Sequence, residues 1–256
     1  MIFRSPNLFG RKTAAKTTIL LSVVFFFVCA ADAQSLKKYS RNFQAGQNVK
    51  LQLMNRTGTV TVEGWDKPYV NITAYLESPA ANIDPQIIGN TILLNLVRDN
   101  QGRGEVGSVI FNIRVPYYSQ VDIETKVGDL RVGNIRSLLV RAHISSEGDI
   151  QLINIQSGSV SAENVTGNIF FDGELQSGGN YRFTSMKGDI SLRIPFSSSF
   201  KLVATAPSTR NIALGSFANN DLRYFGDGRR VVGRFGEGTA SINVTNQRGS
   251  IQFIRR

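Results

Sequence analysis

Residues 128–192 decide the fold, because one phrase recurs in them: Gly128-Asp129-Leu130, Gly148-Asp149-Ile150, Gly167-Asn168-Ile169 and Gly188-Asp189-Ile190. Alternating apolar and polar residues follow each phrase. Glycine permits the positive φ of a tight corner, Asp or Asn caps the corner, and a branched residue or Leu begins the next strand. The even spacing therefore predicts an all-β solenoid with stacked rungs of about 20 residues.

Alternation along the strands predicts which side chains point inward. The predicted inward set is Val121, Ile123, Leu138, Val140, Ala142, Ile144, Ile150, Leu152, Val160, Ala162, Ile190, Leu192, Phe200 and Leu202. Stacked rungs would bring equivalent apolar residues to about 4.8 Å from one another, in continuous internal columns. A further corner, Gly249-Ser250-Ile251, follows Gly188 at three times the usual spacing and is predicted three rungs further on. The less regular residues 34–108 are predicted to form an N-terminal capping part.

The N-terminal segment, 1–33, carries the pattern of a secretion signal. A basic leader with Arg4, Arg11, Lys12 and Lys16 precedes an apolar run, and Ala31-Asp32-Ala33 has the small-x-small form of a cleavage site. A membrane anchor is the alternative, but the run at positions 19–31 is shorter than the roughly 20 residues that a spanning helix needs. Lipidation at Cys29 is disfavoured because Val28 precedes it. We predict a signal peptide at 1–33, a single β-solenoid domain at 34–256, and no transmembrane segment after cleavage.

Charge and cysteine content narrow the possible functions. The whole chain has 29 Lys and Arg against 19 Asp and Glu, for a net charge of +10. Without the segment 1–33, 25 basic and 18 acidic residues remain, so the net charge is +7. A basic exported protein favours anionic polymers or membrane surfaces as neighbours, although the charge could equally serve solubility. Removal of the single cysteine, Cys29, excludes a disulfide, a thiol nucleophile and a thiolate metal site in the mature chain.

Two groups of residues are candidates for binding. The first is a cationic and aromatic segment, in which Arg223, Arg229, Arg230 and Arg234 are the predicted binding residues; Arg210, Tyr224, Phe225 and Phe235 accompany them. Such a mixture could hold anionic glycans, lipid headgroups or nucleic acid, and export argues against nucleic acid. A solvated loop between rungs is the alternative. The second group, Trp65, Tyr69, Tyr117 and Tyr118, could stack on sugars or simply be ordinary strand aromatics.

Evidence for catalysis or metal binding is weaker. Asp122 and Glu124 lie at i and i+2 on one strand face, roughly 7 Å apart, a separation that inverting glycosidases use. This pair supports the alternative function, a β-helix carbohydrate hydrolase or lyase. His143 is the only histidine and is predicted to point outward. The corner residues Asp129, Asp149, Asn168 and Asp189 could ligate calcium, but turn chemistry alone explains them. We therefore predict no catalytic residue, metal site or cofactor.

Several of these motifs occur together in one bacterial family. The motifs are residues 54–66 (Met-Asn-Arg-Thr-Gly-Thr-Val-Thr-Val-Glu-Gly-Trp-Asp), the Val-Pro element before Val121, the serial glycine corners, and the segment from Gly236-Glu237-Gly238 to Gly249. Over roughly residues 45–256 the chain resembles the bacterial putative-adhesin domain of unknown function, although residues 206–234 depart from its rung pattern. The resemblance implies a right-handed β-helix-like domain of the cell envelope without an established catalytic motif.

Taken with the leader and the charge, the resemblance predicts an exported, non-enzymatic envelope protein. Its role would be that of an adhesin or a surface binding and scaffolding module, in the periplasm or on the cell surface. The expected partners are anionic envelope polymers, glycans or a surface protein.

Overall fold

The computed structural model describes residues 36–46 and 48–256, and strands dominate it. The predicted signal peptide and Cys29 lie outside the described residues. The first strands are β1 (Lys37–Gln44), β2 (Lys50–Met54), β3 (Val60–Trp65), β4 (Tyr69–Leu76), β5 (Gln86–Ile88), β6 (Thr91–Asn95) and β7 (Val109–Pro116). The middle strands are β8 (Gln120–Val127), β9 (Leu130–Gly133), β10 (Leu139–Glu147), β11 (Ile150–Ile155), β12 (Ser159–Thr166), β13 (Ile169–Gly173), β14 (Asn180–Lys187) and β15 (Ile190–Ile194). The last strands are β16 (Phe200–Thr205), β17 (Ile212–Ala213), β18 (Leu222–Phe225), β19 (Arg230–Phe235), β20 (Ala240–Asn246) and β21 (Ile251–Arg255). A short helix, α1 (Leu96–Asp99), and a 3-10 turn (Gly215–Phe217) complete the elements.

The strands form two long sheets. The ten-stranded sheet has the order β1-β4-β7-β3-β9-β11-β13-β15-β21-β17, and the eleven-stranded sheet has the order β18-β19-β16-β20-β14-β12-β10-β8-β2-β6-β5. From β8 to β15 the chain alternates between the sheets, so each turn of chain, here called a coil, adds one strand to each sheet. Pairing is parallel in the middle of both sheets and antiparallel at both ends of the eleven-stranded sheet and at the β1 end of the ten-stranded sheet. At the other end of the ten-stranded sheet, β17 pairs parallel with β21. The prediction of an all-β chain is confirmed.

Register aligns the apolar residues of neighbouring coils. Val140 pairs with Val121 on one side and Val160 on the other, and Ile150 pairs with Leu130 and Ile169 in the opposite sheet. All but one of the residues predicted to point inward are at most 1% exposed. Burial of alternate side chains from both sheets forms the core and is the main stabilising contribution, at about 25 cal/mol per Å² of apolar surface.

Leu138 is the exception, because its side chain is 75% exposed. Strand β10 begins only at Leu139, and Leu138 lies in the preceding turn, where the Ser137 hydroxyl donates to the carbonyl oxygen of Leu139 at 3.1 Å. The two-residue alternation of a strand does not extend into such a turn. The prediction that Leu138 points inward was therefore wrong.

The glycine corners stack directly on one another along one edge of the molecule. A Cβ added to Gly167, whose φ is +131°, would lie well under 3.0 Å from the carbonyl oxygen of Gly148. The equivalent clash recurs at the other four predicted turn glycines, Gly128, Gly148, Gly188 and Gly249. The corners are thus too close to one another for any side chain at these positions.

The Asp and Asn residues after these glycines link successive corners. The Asp129 carboxylate accepts a hydrogen bond from the backbone N–H of Asp149 at 2.9 Å, and Asp149 accepts from Asn168 at 2.7 Å. In the same way, the Asn168 side-chain oxygen accepts a hydrogen bond from the N–H of Asp189 at 2.9 Å, and the Asp189 carboxylate accepts one from the N–H of Ser250 at 2.7 Å. These side chains satisfy backbone donors that the sharp turns would otherwise leave without a partner.

Both ends of the stack depart from chain order. Strand β21 pairs with β15 on one side and with β17 on the other, so the Gly249 corner follows the Gly188 corner directly. The prediction of three further rungs between these corners was wrong, because the intervening chain forms β16 to β20, and β20 and β21 pair directly with β14 and β15. Near the other end, β2 lies between β8 and β6, and β3 lies between β9 and β7.

A cluster of phenylalanine rings fills the core near β16. Phe200 contacts Phe217, Phe235 and Phe253, with ring centroids 5.9, 5.6 and 6.1 Å away. These rings come from segments widely separated in sequence, so they fix the irregular residues 195–239 against the coils. Across the described residues, no helix has the length and hydropathy needed to cross a membrane.

Candidate functional site

The predicted arginines lie at the β18 end of the eleven-stranded sheet. Leu222 and Val231 are buried, so their neighbours Arg223 and Arg230 project from the opposite, solvent face of β18 and β19. Arg234 lies four residues after Arg230 on the same strand and therefore on the same face. It pairs in register with Lys201 of β16. The structure therefore places these cations on three adjacent strands. Neighbouring strands of a sheet lie about 4.8 Å from one another. Lys201, Arg223, Arg230 and Arg234 are here called the basic face.

Arg229, the fourth predicted binding residue, lies in the turn that joins β18 to β19. Its backbone N–H donates to the carbonyl oxygen of Gly226 at 3.1 Å, and its side chain is exposed beside the basic face. Within residues 36–46 and 48–256, no carboxylate lies within ion-pair distance of Arg229 or of any residue of the basic face. These side chains are consequently available to an external anion.

Most of the aromatic residues near the basic face have structural roles. Phe235 packs in the phenylalanine cluster, with its centroid 5.2 Å from that of Phe217. The Tyr224 hydroxyl donates to the carbonyl oxygen of Ile212 at 3.1 Å, and burial raises the pKa of this tyrosine above 10.0. Phe225 is 52% exposed and projects from the same face of β18 as Arg223. The cation–aromatic mixture suggested by the sequence is thus mainly a cationic surface.

The second group of predicted aromatics converges at the corners opposite the glycine column. Trp65 and Tyr69 make an edge-to-face contact with centroids 4.7 Å apart, and the Trp65 indole N–H donates to the Tyr69 carbonyl oxygen at 2.9 Å. The Lys67 ammonium lies 5.2 Å from the Trp65 ring centroid. Trp65, Tyr117 and Tyr118 line a cavity of about 180 Å³. Residues that are distant in sequence therefore form one aromatic surface.

A larger cavity of about 730 Å³ adjoins this aromatic surface through Tyr118. It is lined by Asn48, Tyr118, Gln120, Arg136, Ser137, Leu138, Gln156 and Gln176, and is here called the corner groove. Leu138 and Tyr118 are 75% and 48% exposed, so both offer apolar surface to solvent. The groove runs across the turns of several successive coils and combines apolar, amide and guanidinium groups.

The corner groove was not predicted from the sequence, although a signal for it exists. Arg136, Gln156 and Gln176 recur with the period of the glycine corners, because each occupies the turn that returns the chain from the ten-stranded sheet to the eleven-stranded sheet. The glycine corners predicted the fold, but this second, polar repeat was missed. The misplaced Leu138 also belongs to this set of turns.

Tyr181 holds two of these turns from inside the core. Its side chain is fully buried, and its hydroxyl donates to the carbonyl oxygen of Ser157 at 2.8 Å. The same hydroxyl accepts a hydrogen bond from the backbone N–H of Gln176 at 2.6 Å. Burial raises the pKa of Tyr181 above its ordinary 10.0, so the hydroxyl keeps its proton over the physiological range. The turns that present Gln156 and Gln176 are thereby fixed in position.

The carboxylates of the hydrolase alternative form part of an ion-pair network. Arg141 lies 3.0 Å from an oxygen of Asp122 and 4.0 Å from an oxygen of Glu124, and Lys50 lies 3.7 Å from Asp122. His143 lies on the same outer face, in register between Glu124 and Glu163. One arginine thus contacts both carboxylates, and Asp122 also contacts a lysine of the neighbouring strand β2.

The corner residues considered for calcium accept hydrogen bonds from backbone donors. Asp129, Asp149, Asn168 and Asp189 each use a side-chain oxygen for the N–H of the next corner. In the part of the chain that the structure describes, no group of three or more His, Cys, Asp or Glu residues is arranged to hold a metal ion. The geometry therefore indicates a structural role for this column.

The two alternating sheets and their stacked corners have a counterpart among known families. The sequence model of the Toastrack DUF4097 family matches residues 37–252. The chain belongs to the Toastrack DUF4097 family. This membership agrees with a solenoid-like fold, and it confirms in part the predicted resemblance, as that to a domain of unknown function.

Solved structures are similar to this chain at low sequence identity. A putative cell adhesion protein from Clostridium sporogenes is 13% identical, with a TM-score of 0.52 over 86% of this chain and 100% of that chain. A putative adhesin from Bacteroides fragilis is 11% identical, with a TM-score of 0.32 over 86% and 99%. A putative lipid binding protein from Parabacteroides distasonis is 10% identical, with a TM-score of 0.38 over 86% and 97%. The similarity to the Clostridium sporogenes protein shows a shared fold and says nothing of the function of this Toastrack chain. The TM-scores of the other two structures are below 0.5. Among curated proteins, no sequence matches it.

Proposed function

We propose that this chain is an exported, non-enzymatic binding module of the bacterial cell envelope, which attaches to anionic polymers through the basic face and Arg229. The observation that carries the proposal is the row of outward-pointing cations on β16, β18 and β19, without carboxylate partners among the described residues. The net charge of +7 that remains without residues 1–33 adds a long-range attraction for polyanions.

The arrangement suits weak contacts that act together. An exposed ion pair contributes only about 0.2–1 kcal/mol, because water screens it. Several cations on adjacent strands can contact successive charges of one polymer, and the later contacts form at a high effective concentration. Arginine is well suited to this role, since its planar guanidinium binds carboxylate and phosphate groups in a bidentate manner. Attachment should therefore be multivalent and sensitive to salt.

The proposal includes cleavage after Ala33 and residence in the periplasm or on the cell surface. The basic leader, the short apolar run and the small-x-small site support it. It also includes right-handed winding with about 20 residues per coil, which the pairing of Ile150 with Leu130 and Ile169 supports. N-terminal sequencing of the protein recovered from cell fractions tests the first part. An intact leader on the accumulated protein would contradict it.

The test of the basic face compares two charge-matched variants. In the first, Arg223, Arg229, Arg230 and Arg234 are all exchanged for Glu; in the second, the exposed cations Arg56, Lys126, Lys187 and Arg248 are exchanged for Glu. Both variants change the net charge equally, but only the first alters the proposed surface. Retention on immobilised dextran sulfate and polygalacturonate is measured at two salt concentrations.

We expect the first variant to lose retention and the second to keep most of it. Equal retention by the two variants would reject the basic face as the binding site. The eluates are also assayed for new reducing ends, which report cleavage of the polysaccharide. Product release that disappears in an Asp122→Asn variant would contradict the non-enzymatic part of the proposal and favour the hydrolase alternative.

A further inference from the structure

We propose that the corner groove is a second binding site, specific for linear oligosaccharides and independent of the basic face. Its position on the turns between the two sheets separates it from the cations at the end of the eleven-stranded sheet. The inference rests on the shape of the groove, on the chemistry of its lining and on the rigidity of the turns that carry it.

The shape suits an extended chain rather than a compact molecule. Tyr118, Arg136, Gln156 and Gln176 belong to four successive turns of the stack. Successive coils lie about 4.8 Å apart, so the three steps from Tyr118 to Gln176 span about 14 Å along the stack axis. A groove of about 730 Å³ is within the size range of small-molecule binding sites. A repeating ligand could therefore meet a similar polar group at each coil.

The lining suits the mixed surface of a sugar. Asn48, Gln120, Gln156 and Gln176 supply four amides, each of which donates and accepts hydrogen bonds as a hydroxyl group does. The half-exposed ring of Tyr118 offers a flat apolar face on which the C–H face of a sugar ring can lie. A purely apolar occupant, such as an acyl chain, would bury these amides without partners, at a cost of about 1–3 kcal/mol each.

The lining also separates this site from a polyanion site. Arg136 is the one Lys or Arg residue among those that line the groove, and its guanidinium lies 5.6 Å from the Tyr117 ring centroid. With a single cation, the groove is much less positive than the basic face. Binding here should accordingly depend on hydroxyl and C–H contacts, and it should change little with salt.

The turns that carry the lining are held before any ligand arrives. Tyr181 bridges the Ser157 and Gln176 turns through its buried hydroxyl, and Trp65 is fixed by its bond to the Tyr69 carbonyl oxygen. Side chains on rigid turns lose less freedom on binding than side chains on mobile loops. The small cavity beside Tyr118 extends the site toward Trp65, so the aromatic surface forms one end of the groove.

The experiment uses the protein in the form recovered from cells and a panel of immobilised linear hexasaccharides. The panel contains cellohexaose, chitohexaose and xylohexaose, none of which carries a net charge. Tyr118→Ala removes the exposed ring of the groove, and Phe225→Ala removes a ring of similar exposure, 52% against 48%, beside the basic face. Gln176→Ala is a second groove variant, and its exposed side chain can be shortened without disturbing the core.

We expect at least one hexasaccharide to bind, and Tyr118→Ala to weaken that binding about tenfold, as loss of a stacking ring does elsewhere. Gln176→Ala should also weaken it, whereas Phe225→Ala and the Arg→Glu variant of the basic face should leave it unchanged. Failure of all three saccharides to bind would overturn the inference. Equal weakening by Tyr118→Ala and Phe225→Ala would do so as well, and neither outcome bears on the binding of polyanions to the basic face.

Discussion

Replacement of Gly167 by alanine tests whether close stacking of the corners determines the fold. The new Cβ would lie well under 3.0 Å from the Gly148 carbonyl oxygen, and φ at this position is +131°. The left-handed backbone costs about 1–3 kcal/mol for a residue with a side chain. Relief of the clash requires the Gly148 and Gly167 corners to separate, which weakens the 2.9 Å bond from the Gly148 N–H to the Thr166 carbonyl oxygen. A lost backbone bond adds about 1 kcal/mol, so we expect a total of about 2–4 kcal/mol.

Two other glycines separate the clash from the backbone strain. Gly178 has φ of +75° with nothing within 4 Å of an added Cβ, so alanine there should cost only the strain, about 1–2 kcal/mol. Gly104 has neither a positive φ nor a close neighbour, so alanine there should be neutral or slightly stabilising. Urea unfolding followed by circular dichroism and by fluorescence of the single tryptophan, Trp65, measures all three variants. If Gly167→Ala costs no more than Gly178→Ala, the stacking argument is refuted.

Three further predictions concern buried polar groups, and urea unfolding tests each of them. Tyr181→Phe should cost about 1–3 kcal/mol, because the Ser157 carbonyl and the Gln176 N–H would lose their shared partner; no loss would mean that water replaces the hydroxyl. Burial raises the pKa of folded Tyr181 above the 10.0 of the unfolded chain, so its stabilising effect is complete below pH 10.0 and declines as the pH rises toward the folded value. A stability–pH profile that declines equally in Tyr181→Phe would contradict that assignment. Arg193→Met should destabilise the protein more than Asp172→Asn, because the carboxylate of Asp172 is 5% exposed and lies 2.6 Å from Arg193. The reverse order would show that Arg256, 3.6 Å from the same carboxylate, is a sufficient partner.

The sequence predicted the features that depend on local geometry. The glycine corners could be found because only glycine fits a turn with another turn directly against it, and each corner repeats the same pattern. Strand alternation identified nearly all of the inward residues in the central coils. It failed at Leu138, because the boundary between a turn and a strand depends on hydrogen bonds of Ser137 and Leu139 that sequence periodicity does not show.

Of the two candidate surfaces, the basic face is visible in the sequence and the corner groove is not. A cluster of arginines could be recognised because charges on exposed strands are visible as residue types, and their common face follows from alternation around Leu222 and Val231. Their role in binding stays a prediction. The corner groove could not be found from single residues, since Gln156 and Gln176 are ordinary polar turn residues by themselves. Only the stacking of coils brings such residues together with Tyr118. A search for polar residues that repeat with the period of the corners would have identified part of the lining.

The largest difference between sequence order and structure concerns which strands close the stack. A simple solenoid would add coils in chain order, but β21 lies between β15 and β17, and β2 lies between β8 and β6. Ile190 therefore pairs with the distant Ile251, whereas Ile150 pairs with residues of the coils directly before and after it in the chain. Contacts between residues so far apart in sequence form late, because the loop entropy must be lost before they contribute. The central coils can form from local contacts, but the edges of β15 and β17 remain unpaired until β21 arrives. Folding of the C-terminal end thus depends on the last strand, which makes this end a cooperative unit and not a series of independent repeats.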